Sequence, residues 1–189
     1  MRMEFRKTVL PVKKILSDYV NAPKFLAACE QCPNYGRIGS CPPYAFSVTD
    51  YWRDYDSFEV LCVQAFVPDE LRARVFSEAE LKPAIESAIS EARTALDSRL
   101  AEEEAAQPGS RMLSAGKCVR CADCACAHGQ PCRFPETIRY SIESLGGDVV
   151  ALVQDLFKLP LLWAENGQLP EYFVLVGGLL KNRRHSAWI

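Results

Sequence analysis

Eight of the nine cysteines fall in two tight groups, Cys29, Cys32 and Cys41, then Cys118, Cys121, Cys124, Cys126 and Cys132. Thiolates crowded like this repel one another unless a cationic metal or cluster offsets their charge. In a chain without an export signal the pattern points to metal or redox chemistry rather than a disulfide framework. The second group, Cys118-x2-Cys121-x2-Cys124, has the tandem spacing that opens a bacterial ferredoxin run, in which short loops let sulfurs converge on one cubane. Zinc also uses C-x2-C pairs, but as two knuckles held apart by a longer loop, so the tandem favours iron–sulfur and keeps zinc as the alternative.

Cys126 is only two residues from Cys124, an awkward spacing for joint ligation. Cys132 lies eight residues on, with Gly129 and Pro131 to bend the chain back. Cys132 is therefore the expected fourth ligand and Cys126 a spare thiol. His128, between cysteines in a loop, reads as a polar neighbour. The first group, Cys29-x2-Cys32-x8-Cys41, follows the same logic with one ligand fewer. Pro42 and Pro43 stiffen the chain after the last sulfur, while Gly36 and Gly39 permit close backbone approach. Cys62, in an apolar run, reads as a small hydrophobe.

The elements that must hold these loops are legible in part. Val12, Ile15, Leu16 and Tyr19 recur at helical spacing, predicting a helix over 11–20 that leads into the first group. Ser47, with Asp50 three residues later, predicts a helix start whose face carries Val48, Tyr51 and Tyr55. FEVLCVQAFV, 58–67, reads as a strand buried on both faces. Ser77 and Glu80 have capping-box spacing, and Leu81, Ile85, Ala88, Ile89, Ala92, Leu96 and Leu100 trace the stripe of a long helix ending near Ala106. Pro83 fits only a first turn, so regular structure is expected to begin there as readily as at Ser77. A helix after Asp148 and a strand over 172–180 complete the reading, with Gly177-Gly178 marking a bulge or close packing rather than a phosphate cradle. The expected fold is α+β: a small sheet, one long helix and two irregular cysteine-rich metal-binding loops, with 1–189 as one domain.

The chain has 189 residues, 49% hydrophobic and 24% charged, with net charge -2. That balance suits an ordinary globular protein and gives no global positive field for nucleic acid. The basic tail of Lys181, Arg183 and Arg184 reads as a solvated end. No apolar run is long enough to cross a bilayer, and MRMEFRKTVLPVKK holds no stretch of signal-peptide length, so the expectation is a cytoplasmic protein away from membranes. There is no G-x-S-x-G elbow, P-loop or G-x-G-x-x-G, so hydrolase and nucleotide chemistry have little to stand on.

The segments CPNYG and SCPP, SAGKCVRCADC, PCRFPE, YSIESLGGDV and LPEYFVLVGGLL together resemble the predicted metal-binding proteins grouped as domain of unknown function 2284. The resemblance runs from about Cys29 to Leu180. It implies metal binding of iron–sulfur type with no settled reaction, and carries the family's cysteines onto Cys29, Cys32, Cys41, Cys118, Cys121, Cys124 and Cys132. Cys62 and Cys126 do not belong to that set. Where relatives tend to have an aromatic residue before Ser-Cys-Pro-Pro, this chain has Gly39.

Seven motif cysteines divide as four plus three. The favoured reading is a 4Fe-4S cluster on Cys118, Cys121, Cys124 and Cys132, with a second centre on Cys29, Cys32 and Cys41 whose remaining position is open. Such a protein would carry electrons to a redox partner protein in an oxygen-poor cytoplasm. The alternatives are an enzyme using the open site as a Lewis acid, a zinc-stabilised interaction module, or one cluster drawing ligands from both loops.

Overall fold

Strand-forming residues from both ends of the chain meet in one four-stranded sheet. A computed structural model describes residues 1–182, so Arg183 and Arg184 of the basic tail lie outside the described residues. The strands are β1 (Met3–Pro11), β2 (Ser57–Phe66), β3 (Arg111–Leu113) and β4 (Tyr172–Lys181). They stand in the order β1-β2-β4-β3, every neighbouring pair antiparallel. The helices are α1 (Val12–Asp18), α2 (Ala22–Glu30), α3 (Val48–Arg53), α4 (Asp69–Arg72), α5 (Glu78–Ala106) and α6 (Val149–Phe157). The fold is therefore α+β with one long helix, as the patterning implies.

β2 is central and buried along almost its whole length, which is why it shows no polar face. Its alternate residues feed two cores, as the two-residue period of a strand requires. Leu61, Val63 and Ala65 pack with Leu175 and Leu179 of β4 against Ala92, Leu96 and Leu100 of α5. Phe58, Val60 and Cys62 pack on the opposite face with Val176 and Leu180, under α1, α3 and α6. Trp52 of α3 is buried there and donates its ring N–H to the Leu145 carbonyl at 3.0 Å. That bond ties α3 to the chain segment following the second cysteine group. Cys62 is fully buried in this core, and burial pushes its thiol up to about 12.

Two local expectations change. α5 begins at Glu78, with Ser77 and Glu80 forming the capping box and Pro83 inside the helix. The reciprocal cap outweighs the one backbone bond that the proline removes. Lys181 is not part of a solvated end: it terminates β4 and donates to Glu59 Oε2 at 3.2 Å. Gly177 and Gly178 mark close packing, since the β4 register runs past them without a bulge. A Cβ on Gly178 would lie 2.4 Å from the Glu59 carbonyl oxygen, and one on Gly177 2.6 Å from that of Leu113. Among the described residues no helix is long and apolar enough to cross a membrane.

Candidate metal centre

α2 carries the first cysteine group to its place. Asn21 caps it, accepting from the Lys24 N–H, and Pro23 sits in its first turn. Cys29 is therefore in the last turn of a helix, not in an irregular loop as the spacing suggests. The Cys32 N–H donates to the Cys29 carbonyl at 2.9 Å, and the Gly36 N–H to the Pro42 carbonyl at 2.8 Å, with Gly36 at φ 65. This closes the loop and brings Cys29, Cys32 and Cys41 into electrostatic contact. Burial pushes the Cys41 thiol up to about 11, with the Ser40 hydroxyl and Lys117 acting in the other direction. Asn34 donates its side-chain amide to Cys32 Sγ at 3.5 Å.

Behind this loop stands an aromatic wall. Tyr44 and Phe46 stack at 4.8 Å between centroids, and Tyr140 meets both, at 5.0 and 5.4 Å. Tyr51 joins the wall edge-on to Tyr140 at 5.4 Å. Tyr44 donates its hydroxyl to the Ser40 carbonyl at 2.7 Å. Burial raises the Tyr44 and Tyr51 phenols, which stay neutral.

The second group is folded by short turns. After β3 the chain bridges Ser114 to Ser141, then runs through the cysteines into a 3-10 turn, Ala125–His128, ended by Gly129 at φ 68. Cys118, Cys121, Cys124 and Cys132 line one hollow with Gly39 and Ser40. The hollow, counting the part open to solvent, is about 360 Å³. Cys124 is the best-supported thiolate. Burial opposes its ionisation, but the N–H groups of Gly39, Cys126 and Ala127 and the Cys126 thiol outweigh that and hold it below the ordinary cysteine value. The Phe134 N–H donates to Cys132 Sγ at 3.3 Å.

The two loops touch. The Cys118 N–H donates to the Ser40 hydroxyl at 2.9 Å, and Ser40 is only 1% exposed. A Cβ on Gly39 would stand 3.1 Å from Cys126 Sγ and 3.7 Å from the Cys132 Cβ. Gly39 thus belongs to the wall of the second hollow, and the lack of a bulky side chain there lets the loops close together. Ser40 carries no signal in the sequence, because its partner is 78 residues away. Cys126 lies beside Cys124 and Cys132 but outside the hollow's lining. His128 Nε2 is 2.9 Å from Asp123 Oδ1, the polar neighbour expected.

The donor chemistry fits a thiolate-bound metal group: four thiols surround one space, and backbone N–H groups favour the charged form of Cys124. Among the described residues no three His, Cys, Asp or Glu side chains converge closely enough to hold a single metal ion. The four thiols stand around the hollow rather than meeting at a point.

The family described as predicted metal-binding protein (DUF2284) matches residues 14–180. No curated protein and no solved structure matches the chain.

Proposed function

The chain belongs to this family of predicted metal-binding proteins, and from that premise we propose that it is an iron–sulfur protein of electron transfer. Cys118, Cys121, Cys124 and Cys132 would hold a 4Fe-4S cluster, which when bound supplies one-electron oxidation and reduction. The observation that carries this reading is the shared hollow of these four thiols, lined by Gly39 and Ser40 from the first loop. The chain's own contribution is placement and charge. N–H groups offset the negative charge at Cys124 and Cys132, and Ser40 fixes the start of the ligand loop at Cys118. Val119 and Phe134, 58% and 44% exposed beside the hollow, offer an apolar rim for a redox partner protein.

Cys29, Cys32 and Cys41 form a second, three-thiol centre in the proposal, backed by the aromatic wall and open on its other side. Zinc is the second reading, since pairs spaced as Cys118 and Cys121 are also ligate zinc. Single Cys→Ser variants purified without oxygen test the assignment. Cys124→Ser is expected to lose the metal of the second group, Cys126→Ser to keep it, and Cys41→Ser to lose about half of the total iron. Full metal retention by Cys124→Ser would overturn the ligand assignment. No loss, or total loss, in Cys41→Ser would overturn the four-plus-three division.

A further inference from the structure

β1 stands at one edge of the sheet, and its outer side is open. The Val12 N–H donates to the Asp56 carbonyl, and the Phe66 N–H to the Arg2 carbonyl. Both pairs continue the β1–β2 register, so by strand alternation the even-numbered residues of β1 turn their N–H and C=O groups to β2. Met3, Phe5, Lys7 and Val9 turn theirs outward. Among the described residues no strand, turn or loop takes up these groups. Edges are commonly blunted by shortness, proline, a bulge or charge. β1 runs nine residues without a break in register, and its one proline, Pro11, stands at the end. Charge is the device it retains, in Glu4, Arg6 and Lys7.

Those charges oppose most pairings and favour one. A second copy of β1 laid antiparallel about a twofold axis must bring outward-turned residues opposite outward-turned ones, so the axis passes through a whole residue. Through Glu4 it sets Glu4 against Glu4 and Arg2 against Arg6. Through Arg6 or Lys7 it sets two like cations face to face. Axes beyond Lys7 leave the charges without partners and reach Pro11, which has no N–H. An axis through Met3 would need Met1 and Arg2, which precede the strand; Arg2 lies over the Phe66 ring, 3.6 Å from its centroid, and the Met1 ammonium is held by Glu91 at 3.2 Å. Through Phe5, Glu4 of each copy stands opposite the partner's Arg6. Glu4 and Arg6 already share one face of the strand, 3.0 Å apart.

We propose that the protein is a homodimer in which two copies of β1 pair antiparallel about Phe5, joining the two sheets into one. Met3, Phe5 and Lys7 of each copy exchange backbone hydrogen bonds with the partner's Lys7, Phe5 and Met3. Glu4 and Arg6 meet at the non-hydrogen-bonded positions, where opposed side chains stand closer, and the two Phe5 residues face each other as an aromatic pair. The second cysteine group follows β3, at the other edge of the sheet, so the pairing leaves its hollow uncovered and does not depend on which metal it holds.

Sedimentation velocity of the full-length protein, purified without oxygen, tests the proposal over a dilution series reaching about 0.1 mM. The expected result is a reversible monomer–dimer equilibrium with a Kd of roughly micromolar order, as a small interface gives. Glu4→Arg and Arg6→Glu each set like charges opposite one another twice and should weaken the dimer by about tenfold or more. Mixed together, the two variants should form a heterodimer, because every charge then meets its opposite. The double variant Glu4→Arg, Arg6→Glu should regain dimerisation for the same reason. Lys7→Pro removes an outward N–H without touching the pairing to β2 and should weaken the dimer, whereas Val9→Pro, outside the paired stretch, should not. Circular dichroism shows that each variant is folded, and its metal content should match wild type. A monomer throughout the series overturns the proposal. So does a dimer that neither charge reversal weakens, or one whose loss in the single variants mixing does not restore; either places the contact on another face.

Discussion

Ser40→Ala tests the contact that joins the two cysteine loops. The Ser40 oxygen is buried and accepts the Cys118 N–H at 2.9 Å. Removing it leaves that N–H without a partner, at a cost of about 1–3 kcal/mol. Water entering the adjacent hollow would recover part of this, which sets the lower end of the range. For a chain of 189 residues, each kcal/mol shifts the melting temperature by about 2–4 °C. The expected fall is therefore roughly 2–12 °C. Because the broken bond anchors the first ligand of the second group, metal affinity should fall with stability, by roughly 5- to 150-fold at a tenfold change per 1.4 kcal/mol. Thermal unfolding followed by circular dichroism, with chelator competition on the same preparation, measures both. Thr137→Ala is the control: that hydroxyl donates to the nearby Phe134 carbonyl on an exposed residue, and its loss should cost less than about 0.5 kcal/mol. If Ser40→Ala matches wild type in melting temperature and in metal release, the loops are not coupled through this bond.

Gly178→Ala should prevent stable folding, because the new Cβ would stand 2.4 Å from the Glu59 carbonyl oxygen and from Phe58 Cζ in the sheet centre; a loss of about 3 kcal/mol or more is expected, seen as insoluble expression or a collapsed melting temperature. Cys62→Ala should leave metal content unchanged and lower stability by about 1 kcal/mol, since Cys62 is a side chain of the hydrophobic core. Burial raises the Asp97 pKa, with the Ala115 N–H and Arg93 acting against it. A carboxyl raised in the folded state costs stability as pH climbs from its ordinary value through the folded one. Asp97→Asn should therefore be more stable than wild type at neutral pH, with the advantage fading in melting curves taken below the ordinary carboxylate range.

The parts of the fold that follow a clear period were readable from sequence. β2, β4, α5 and α6 carry long apolar runs or stripes, and Ser47, Ser77 and Asp148 cap helices as their side chains suggest. β1 was not readable, because it is an edge strand with one neighbour, and Glu4, Arg6 and Lys7 interrupt its apolar residues. α2 has no fully buried residue and so offers no stripe. β3 is three residues long, too short to show a period. The site divides the same way. Ligand spacing is local and survives in the sequence, so the grouping of Cys118, Cys121, Cys124 and Cys132 around one hollow could be anticipated. The contacts of Ser40 with Cys118 and of Gly39 with Cys126, and the aromatic wall that joins Tyr44 to Tyr140, cross the fold and leave no local pattern.

Iron and acid-labile sulfide in protein purified without oxygen bear most directly on the proposed cluster. The account predicts a brown protein containing iron and sulfide in about equal amounts, with a broad visible absorption that bleaches on adding dithionite. A colourless protein holding stoichiometric zinc and no labile sulfide would contradict it.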